Sequence, residues 1–145
     1  MTFTNHMLTG SLLAKTLPLP IAIPLAFISH FVLDSFPHFG YKSGKISNKR
    51  LFYVVEILDF TIGALLILWL VLHHHYTWVL SGFIAFSPDL VWIYRYIFKE
   101  RFGRLQIDYN SSSITRLHKR VQKYERYWGL VVELAYGLSV FMLLG

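Results

Sequence analysis

Cysteine is absent from this sequence, and charged residues are scarce. The lack of cysteine in 145 residues excludes disulfides, thiolate metal sites and a cysteine nucleophile. Only 15% of the residues are charged, against roughly 25% in a typical soluble domain. No internal repeat and no low-complexity stretch is present. We therefore expect a single domain over residues 1–145 that is too apolar for a water-soluble protein.

Hydrophobic residues make up 54% of the chain, and they are gathered in long runs. With about 20 residues to each membrane span, the runs predict five helical segments. Their approximate bounds are Phe3–Leu17, Pro20–Phe36, Leu51–Leu72, Tyr76–Phe98 and Tyr127–Leu144. The first segment is short, which fits a half-span or a re-entrant helix as well as a full span. The predicted fold is all-α, a small polytopic membrane bundle.

The basic residues are distributed very unevenly over these spans. If all five segments cross, thirteen of the fourteen Lys and Arg residues lie on the side of the N-terminus, and only Lys15 lies toward the other side. The positive-inside rule makes the basic side cytoplasmic. We expect an integral protein of a bacterial or archaeal plasma (inner) membrane, with a cytoplasmic N-terminus.

The connection between the fourth and fifth segments, residues 99–126, predicts one more helix. From Ser111 to Trp128, apolar residues recur every three or four positions, and the opposite face is basic. Such a pattern is typical of an amphipathic helix on a membrane surface that contacts anionic headgroups. Nothing here resembles a nucleic-acid-reading module. Membrane lipid is therefore the expected partner, and a homo-oligomer stays open.

Ionisable side chains inside membrane spans are costly, so each is a functional hypothesis. His30 and Asp34 are four residues apart and share a helical face. Pro37 ends this helix just before His38, which allows the His38 ring to turn back toward the same pocket. With the topology above, the intramembrane ionisable residues all fall in the cytoplasmic half: His6, His30, Asp34, His38, Glu56, Asp59, Asp89 and Glu133.

Imidazole and carboxylate groups without thiolate suit a divalent transition metal, zinc first, with manganese or iron as alternatives. The predicted ligands of one or two ions are His6, His30, Asp34, His38 and Asp89. Asp59 is a further ligand or a bridge, since two nearby metal ions can clamp a phosphoryl group.

Other residues are candidates for catalysis and for substrate binding. Glu56 and Asp59 are the candidate general bases. Arg95, Arg120 and His118 are the candidate contacts to a phosphate group.

These residues also have structural interpretations. His30 with Asp34 fits a buried hydrogen-bonded pair, and Asp89, directly after Pro88, fits a partner for freed backbone groups. Glu133 fits a pair with a basic residue. The run His73–His75 is best interpreted as interfacial, because adjacent side chains diverge on a helix and this turn is far from every carboxylate.

Two sequence elements resemble a known family. His6-Met-Leu-Thr-Gly10 is followed by Ser29-His30-Phe-Val-Leu-Asp34-Ser-Phe-Pro37-His38, and this order is similar to the YdjM-like group of membrane-bound metal-dependent hydrolases. The similarity covers the first 40 residues and, loosely, the Pro88-Asp89 step. A later His-x-x-x-His element of that family is missing, and His118 is a partial counterpart. The resemblance implies hydrolase activity.

Three function classes are therefore compared. The first is a metal-dependent hydrolase of a membrane lipid or a lipid-linked phosphoester, working from the cytoplasmic side. The second is an ion- or proton-coupled transporter that uses the same His and Asp residues. The third is a structural membrane protein in which buried polar groups join helices. The ionisable residues cluster at one depth in the membrane, which favours the hydrolase, since a transport pathway needs polar residues through the full thickness of the membrane.

Overall fold

The computed structural model describes residues 1–40, 49–95, 116–117, 120–121, 124–126 and 128–145. These residues form five long helices and no β-strand, which confirms the predicted all-α class within the described ranges. The helices are α1 (Phe3–Thr16), α2 (Leu19–Asp34), α3 (Lys49–Leu72), α4 (Tyr76–Arg95) and α5 (Gly129–Leu144).

Prolines determine where α1 ends and α2 begins. Leu17 is extended, with φ −125° and ψ 152°, because the ring of Pro18 disfavours a helical conformation in the residue before it. α2 then starts with Pro20 in its first turn. The N–H groups of a first turn have no acceptor within the helix, so the N–H that proline lacks costs no helical hydrogen bond. The two helices follow each other almost directly, and they pack together.

A second proline shapes α4 near the candidate site. Pro88 lies inside the helix, and it lacks the N–H that would bond the carbonyl of Ile84. The hydroxyl of Ser87 donates to that carbonyl instead, at 2.8 Å. The next carbonyl, that of Ala85, lies 3.0 Å from Nδ1 of His30. The stretch before Pro88 is therefore bonded partly through side chains, one of which comes from α2.

α1 is the central helix, because it packs against all four others. Its closest approach is to α4, at two glycines. A Cβ atom at Gly10 would lie 2.3 Å from the carbonyl oxygen of Ser81, and one at Gly82 would lie 2.9 Å from the carbonyl oxygen of Met7. Small residues allow helix backbones to approach in this way. The short first segment is thus an interior helix of 14 residues, about 21 Å long.

The outer faces of the surrounding helices are apolar. Ile57 on α3 is 65% exposed, and Val131 and Met142 on α5 are 69% and 72% exposed. Within the described ranges one helix, Arg50–Leu72, is long and apolar enough to cross a membrane, with a mean hydropathy of 2.3. The apolar helices α2 and α5 are shorter, with 16 residues each.

The predicted surface helix does not continue to Trp128. Residues 116–117 and 120–121 are helical, but 124–126 are not in an α-helix. Glu125 forms a parallel bridge with His38, and the N–H of Arg126 donates to the His38 carbonyl at 2.7 Å. This tertiary pairing replaces the last predicted helical turn. Val121 is buried while Arg116 and Arg120 are exposed, as the amphipathic pattern predicts, but Leu117 of the same apolar face is 43% exposed.

The close crossing of α1 and α4 leads to a first testable prediction. Gly10→Ala places a methyl group against the backbone of α4, so we expect the unfolding free energy in detergent to fall by about 1–3 kcal/mol. Helix propensity alone would change stability in the opposite direction, by about 1 kcal/mol. Thermal unfolding followed by circular dichroism measures the difference.

Gly145→Ala is the matched control, because no atom lies within 4 Å of a Cβ at that position. A Gly10→Ala variant as stable as the parent protein would contradict the close crossing.

Candidate metal centre

Three predicted ligands from two helices come together in the interior. His6 lies one turn into α1, and His30 and Asp34 occupy one face of α2 near its end. One ligand atom from each lies within 4.8 Å of the others, and all three residues are buried. The two imidazole rings are stacked, with centroids 4.2 Å apart. The prediction that these three residues converge is confirmed.

Two separations in the group match those around a tetrahedral ion. His6 Nε2 lies 3.3 Å from Oδ1 of Asp34, and His30 Nε2 lies 3.4 Å from Oδ2. A tetrahedral ion with bonds of about 2.0–2.1 Å places neighbouring ligand atoms about 3.3 Å apart. The two contacts involve different oxygens of Asp34, so each imidazole lies within reach of the carboxylate through its own oxygen.

A hydrogen bond sets the tautomer of the neutral His30 ring. Its Nδ1 lies 3.0 Å from the carbonyl oxygen of Ala85, and a carbonyl accepts but never donates. In the neutral ring Nδ1 therefore carries the proton, and Nε2 presents a lone pair toward Asp34. This is the tautomer that a metal ligand needs, since an outer-shell hydrogen bond commonly fixes the tautomer and orientation of a metal-binding imidazole.

The ring of His6 has no such bond. Within the described part of the chain, neither of its nitrogens makes a hydrogen bond, although the side chain is completely buried. Buried polar atoms nearly always have a partner. The carboxylate of Asp34 already contacts the positive amino group of Met1, but a cation bound by His6 would supply the partner that this ring lacks. The donor set therefore fits a divalent metal ion.

Asp89 lies beside this group but is not one of its three members. Its Oδ2 is 3.9 Å from His6 Nε2, and its Oδ1 is 3.7 Å from His30 Nε2. The side chain is 23% exposed, whereas the other three are buried almost completely. Asp89 is thus the most exposed of these four predicted ligands.

Three carboxylates hold the start of α1. Asp59 accepts hydrogen bonds from the N–H groups of Phe3 and Thr4, at 2.8 and 3.1 Å. Glu133 accepts one from Thr2 at 2.9 Å, and Asp34 contacts the amino group of Met1. Both oxygens of Asp59 therefore cap the start of α1. The sequence alone does not indicate this role, because Asp59 lies 55 residues along the chain from Thr4.

Two further predicted site residues, His38 and Glu56, are not members of this three-residue group. The His38 ring bonds the carbonyl of Phe36 through Nδ1 at 2.8 Å, and it is not a member of the metal-binding group. Burial, helped by the positive amino group of Met1, lowers the pKa of His38 to about 4. Glu56 is half-buried on α3. Their predicted roles as ligand and base stay predictions.

The predicted phosphate contacts are described only in part. Arg120 is exposed. Arg95 ends α4, and its side chain lies outside the described residues, as does the whole of His118.

The histidine run at the turn between α3 and α4 has a structural role. His74 adopts a positive φ of 61°, and the N–H groups of His74 and His75 donate back to the carbonyls of Val71 and Leu70. This bond pattern closes a helix C-terminus. His75 also stacks on Trp78, with centroids 4.0 Å apart. Within the described residues the three histidines do not form a metal-binding group.

Comparisons with known proteins identify no relative. No protein-family model matches the chain, and neither a curated protein nor a solved structure matches it. The residues of the site itself are therefore the basis for assigning a function.

The geometry makes a direct prediction about metal content. We expect the purified protein to retain a divalent transition metal, and His30→Ala or Asp34→Ala to lose it, because each variant leaves two of three buried ligands. Elemental analysis by mass spectrometry measures the stoichiometry. His73→Ala is the control, since this exposed ring lies in the turn after α3 and bonds only the carbonyl of Trp69 among the described residues. Equal metal content in all three variants would remove His30 and Asp34 from the site.

Proposed function

We propose that this protein is an integral-membrane, metal-dependent hydrolase. Its substrate is a membrane lipid or a lipid-linked phosphoester, reached from the cytoplasmic side. The observation that carries the proposal is the buried convergence of His6, His30 and Asp34, whose ligand atoms lie within 4.8 Å of one another. Three protein ligands leave a fourth position open, which is the arrangement of catalytic rather than structural zinc sites.

The apolar exterior supports a polytopic arrangement in the membrane. A soluble protein rarely exposes large contiguous apolar patches, whereas the outer faces of α2, α3 and α5 expose many large apolar side chains. α3 has the length of a full span. α2 and α5 reach about 24 Å at 1.5 Å per residue, and flanking residues can extend such helices across a hydrocarbon core of about 30 Å.

The positions of charged groups support a cytoplasmic site. Lys15 lies at the far end of α1, where its ammonium donates to the carbonyls of Leu143 and Leu144 at the end of α5. Arg116 and Arg120 are exposed on the segment that Glu125 ties to His38. The site therefore lies at the end of the bundle that carries the basic residues, which the positive-inside rule assigns to the cytoplasm.

Each ligand has a defined part in binding the ion. His30, oriented by the carbonyl of Ala85, and His6 would each hold the ion through a ring nitrogen, and Asp34 would supply negative charge. A divalent ion held there would polarise the ester and lower the pKa of a water molecule. An imidazole-carboxylate set without thiolate favours zinc, with manganese or iron as alternatives.

The packing below the site argues against a transporter. A buried cluster of apolar side chains fills the bundle from the first turn of α1 toward its far end, and it includes Met7, Leu70 and Phe86. Met7 and Leu70 are completely inaccessible. An ion moving through the bundle would have to cross this apolar layer, whereas a hydrolase needs access from one side only.

A vesicle assay tests the proposed activity. Purified protein in vesicles of phosphatidylethanolamine and phosphatidylglycerol, with lipid-linked phosphates added in turn, should release a product that chelation abolishes and zinc restores. His30→Ala should be inactive under the same conditions, because its ion is lost. Metal or proton flux without any product would support the transporter instead.

The orientation of the protein in the membrane leads to a separate prediction. Because the chain has no native cysteine, a single introduced thiol can be labelled without background. Single-cysteine variants Arg120→Cys and His74→Cys place one thiol at each end of the bundle. We expect a membrane-impermeant maleimide to label His74→Cys in intact cells, and Arg120→Cys only after the membrane is opened. The reverse pattern would put the candidate site on the outer side.

A further inference from the structure

The carboxylate of Asp34 meets the two imidazoles through different oxygen atoms. Its Oδ1 lies 3.3 Å from Nε2 of His6, and its Oδ2 lies 3.4 Å from Nε2 of His30. All three side chains are buried almost completely. A single ion needs only one of these oxygens. Pairing each imidazole with its own oxygen is the arrangement in which a carboxylate bridges two ions.

The orientation of the two rings also fits two ion positions. The imidazoles of His6 and His30 are stacked, with centroids 4.2 Å apart and an angle of 23° between their planes. A histidine binds a metal ion through a ring nitrogen, in the plane of the ring. Two nearly parallel rings therefore present their lone pairs side by side, at a separation close to the roughly 3.5–4 Å between the ions of two-metal sites.

Asp89 repeats this pairing at longer distances. Its Oδ2 lies 3.9 Å from Nε2 of His6, and its Oδ1 lies 3.7 Å from Nε2 of His30. Both carboxylates therefore face both imidazoles, with one oxygen for each ring. Helix bundles build two-metal centres from imidazole and carboxylate side chains on facing helices. The two ion positions do not depend on Asp89, because Asp34 alone supplies an oxygen to each of them.

The amino group of Met1 already lies at one of these oxygens. It contacts Oδ1 of Asp34, which is the oxygen that faces His6. An ionised carboxylate has about four lone-pair positions, so Oδ1 can accept the amino group and also bind an ion. A positive group is thus present beside the position at which His6 would hold its ion.

We propose that at saturating metal the centre binds two divalent ions bridged by Asp34, with His6 on one ion and His30 on the other. This inference rests on the proposed function, in which the same three residues hold a first ion. When one ion is bound, both imidazoles are available to it. A second ion takes one imidazole and the second oxygen of Asp34. Two ions about 4 Å apart clamp the attacking and leaving oxygens of a phosphoryl group, so the centre suits a phosphoester bond.

Titration of the metal-free protein with Mn²⁺ tests this proposal without any substrate. We expect two ions per chain at the centre. The electron paramagnetic resonance spectrum should change from that of an isolated ion to that of a coupled pair, because a bridging carboxylate couples the two spins. Asp34→Asn should abolish the coupled spectrum, since a neutral amide replaces the bridge. Glu56→Gln is the matched control, because Glu56 is not a member of the metal-binding group, and it should keep the coupled pair.

The exposed histidines in the turn after α3 must be separated from the centre in this titration. An ion at His73–His75 would add to the number of bound ions but not to the coupling, because this turn lies at the other end of α3 from Asp59. The count is therefore repeated in His73→Ala. With zinc, X-ray absorption should show two imidazoles per ion at one equivalent and one imidazole per ion at two equivalents.

Each contrary result has a distinct meaning. One ion in the parent protein at saturating Mn²⁺ would overturn the two-ion centre and leave the proposed function standing. Two ions without spin coupling would exclude Asp34 as a bridge, and a coupled pair that persists in Asp34→Asn would exclude it as well. If the protein binds no metal at all, the proposed function fails, and the two-ion centre fails with it.

Discussion

The buried N-terminal end of α1 depends on carboxylates that other helices supply. Four amide groups at a helix start have no partner within the helix, and leaving a buried donor unpaired costs about 1–3 kcal/mol. Asp59 from α3 binds two of these donors, and Glu133 from α5 binds the preceding N–H. The positive end of the helix dipole also stabilises their charge. The start of α1 is thereby joined to α3 and α5.

This arrangement determines where His6 lies. One turn after the capped residues, its ring is fixed between α2 and α4, stacked on His30 and close to Asp34. Gly10, one further turn along, permits the close contact with α4 that brings Asp89 within 3.9 Å of His6 Nε2. The His6-x-x-x-Gly10 spacing therefore combines a ligand with the contact that positions it.

Much of the fold and part of the site could be predicted from the sequence. Long apolar runs bounded by prolines predict the helices, and the spacing of His30 and Asp34 predicts their shared face. The capping role of Asp59 could not be predicted, because it requires knowing which helix start lies beside α3. The position of His38 could likewise be predicted only in part. Pro37 does end the helix, as expected, but the His38 ring bonds the carbonyl of Phe36. The backbone of His38 also pairs with Glu125, which is distant in the sequence. Tertiary contacts also shorten the predicted surface helix, whose apolar period continues to Trp128.

X-ray absorption at the zinc edge of the purified, zinc-loaded protein tests the central claim most directly, because it counts the imidazole ligands of the bound ion. One ion held by His6, His30 and Asp34 should give the scattering of two imidazole rings, with the remaining neighbours being oxygen atoms at about 2.0–2.2 Å. A spectrum with no imidazole scattering would contradict the site, because the ion would then be bound elsewhere. More than two rings per ion would bring His38 or another histidine into the shell and contradict the three-residue centre.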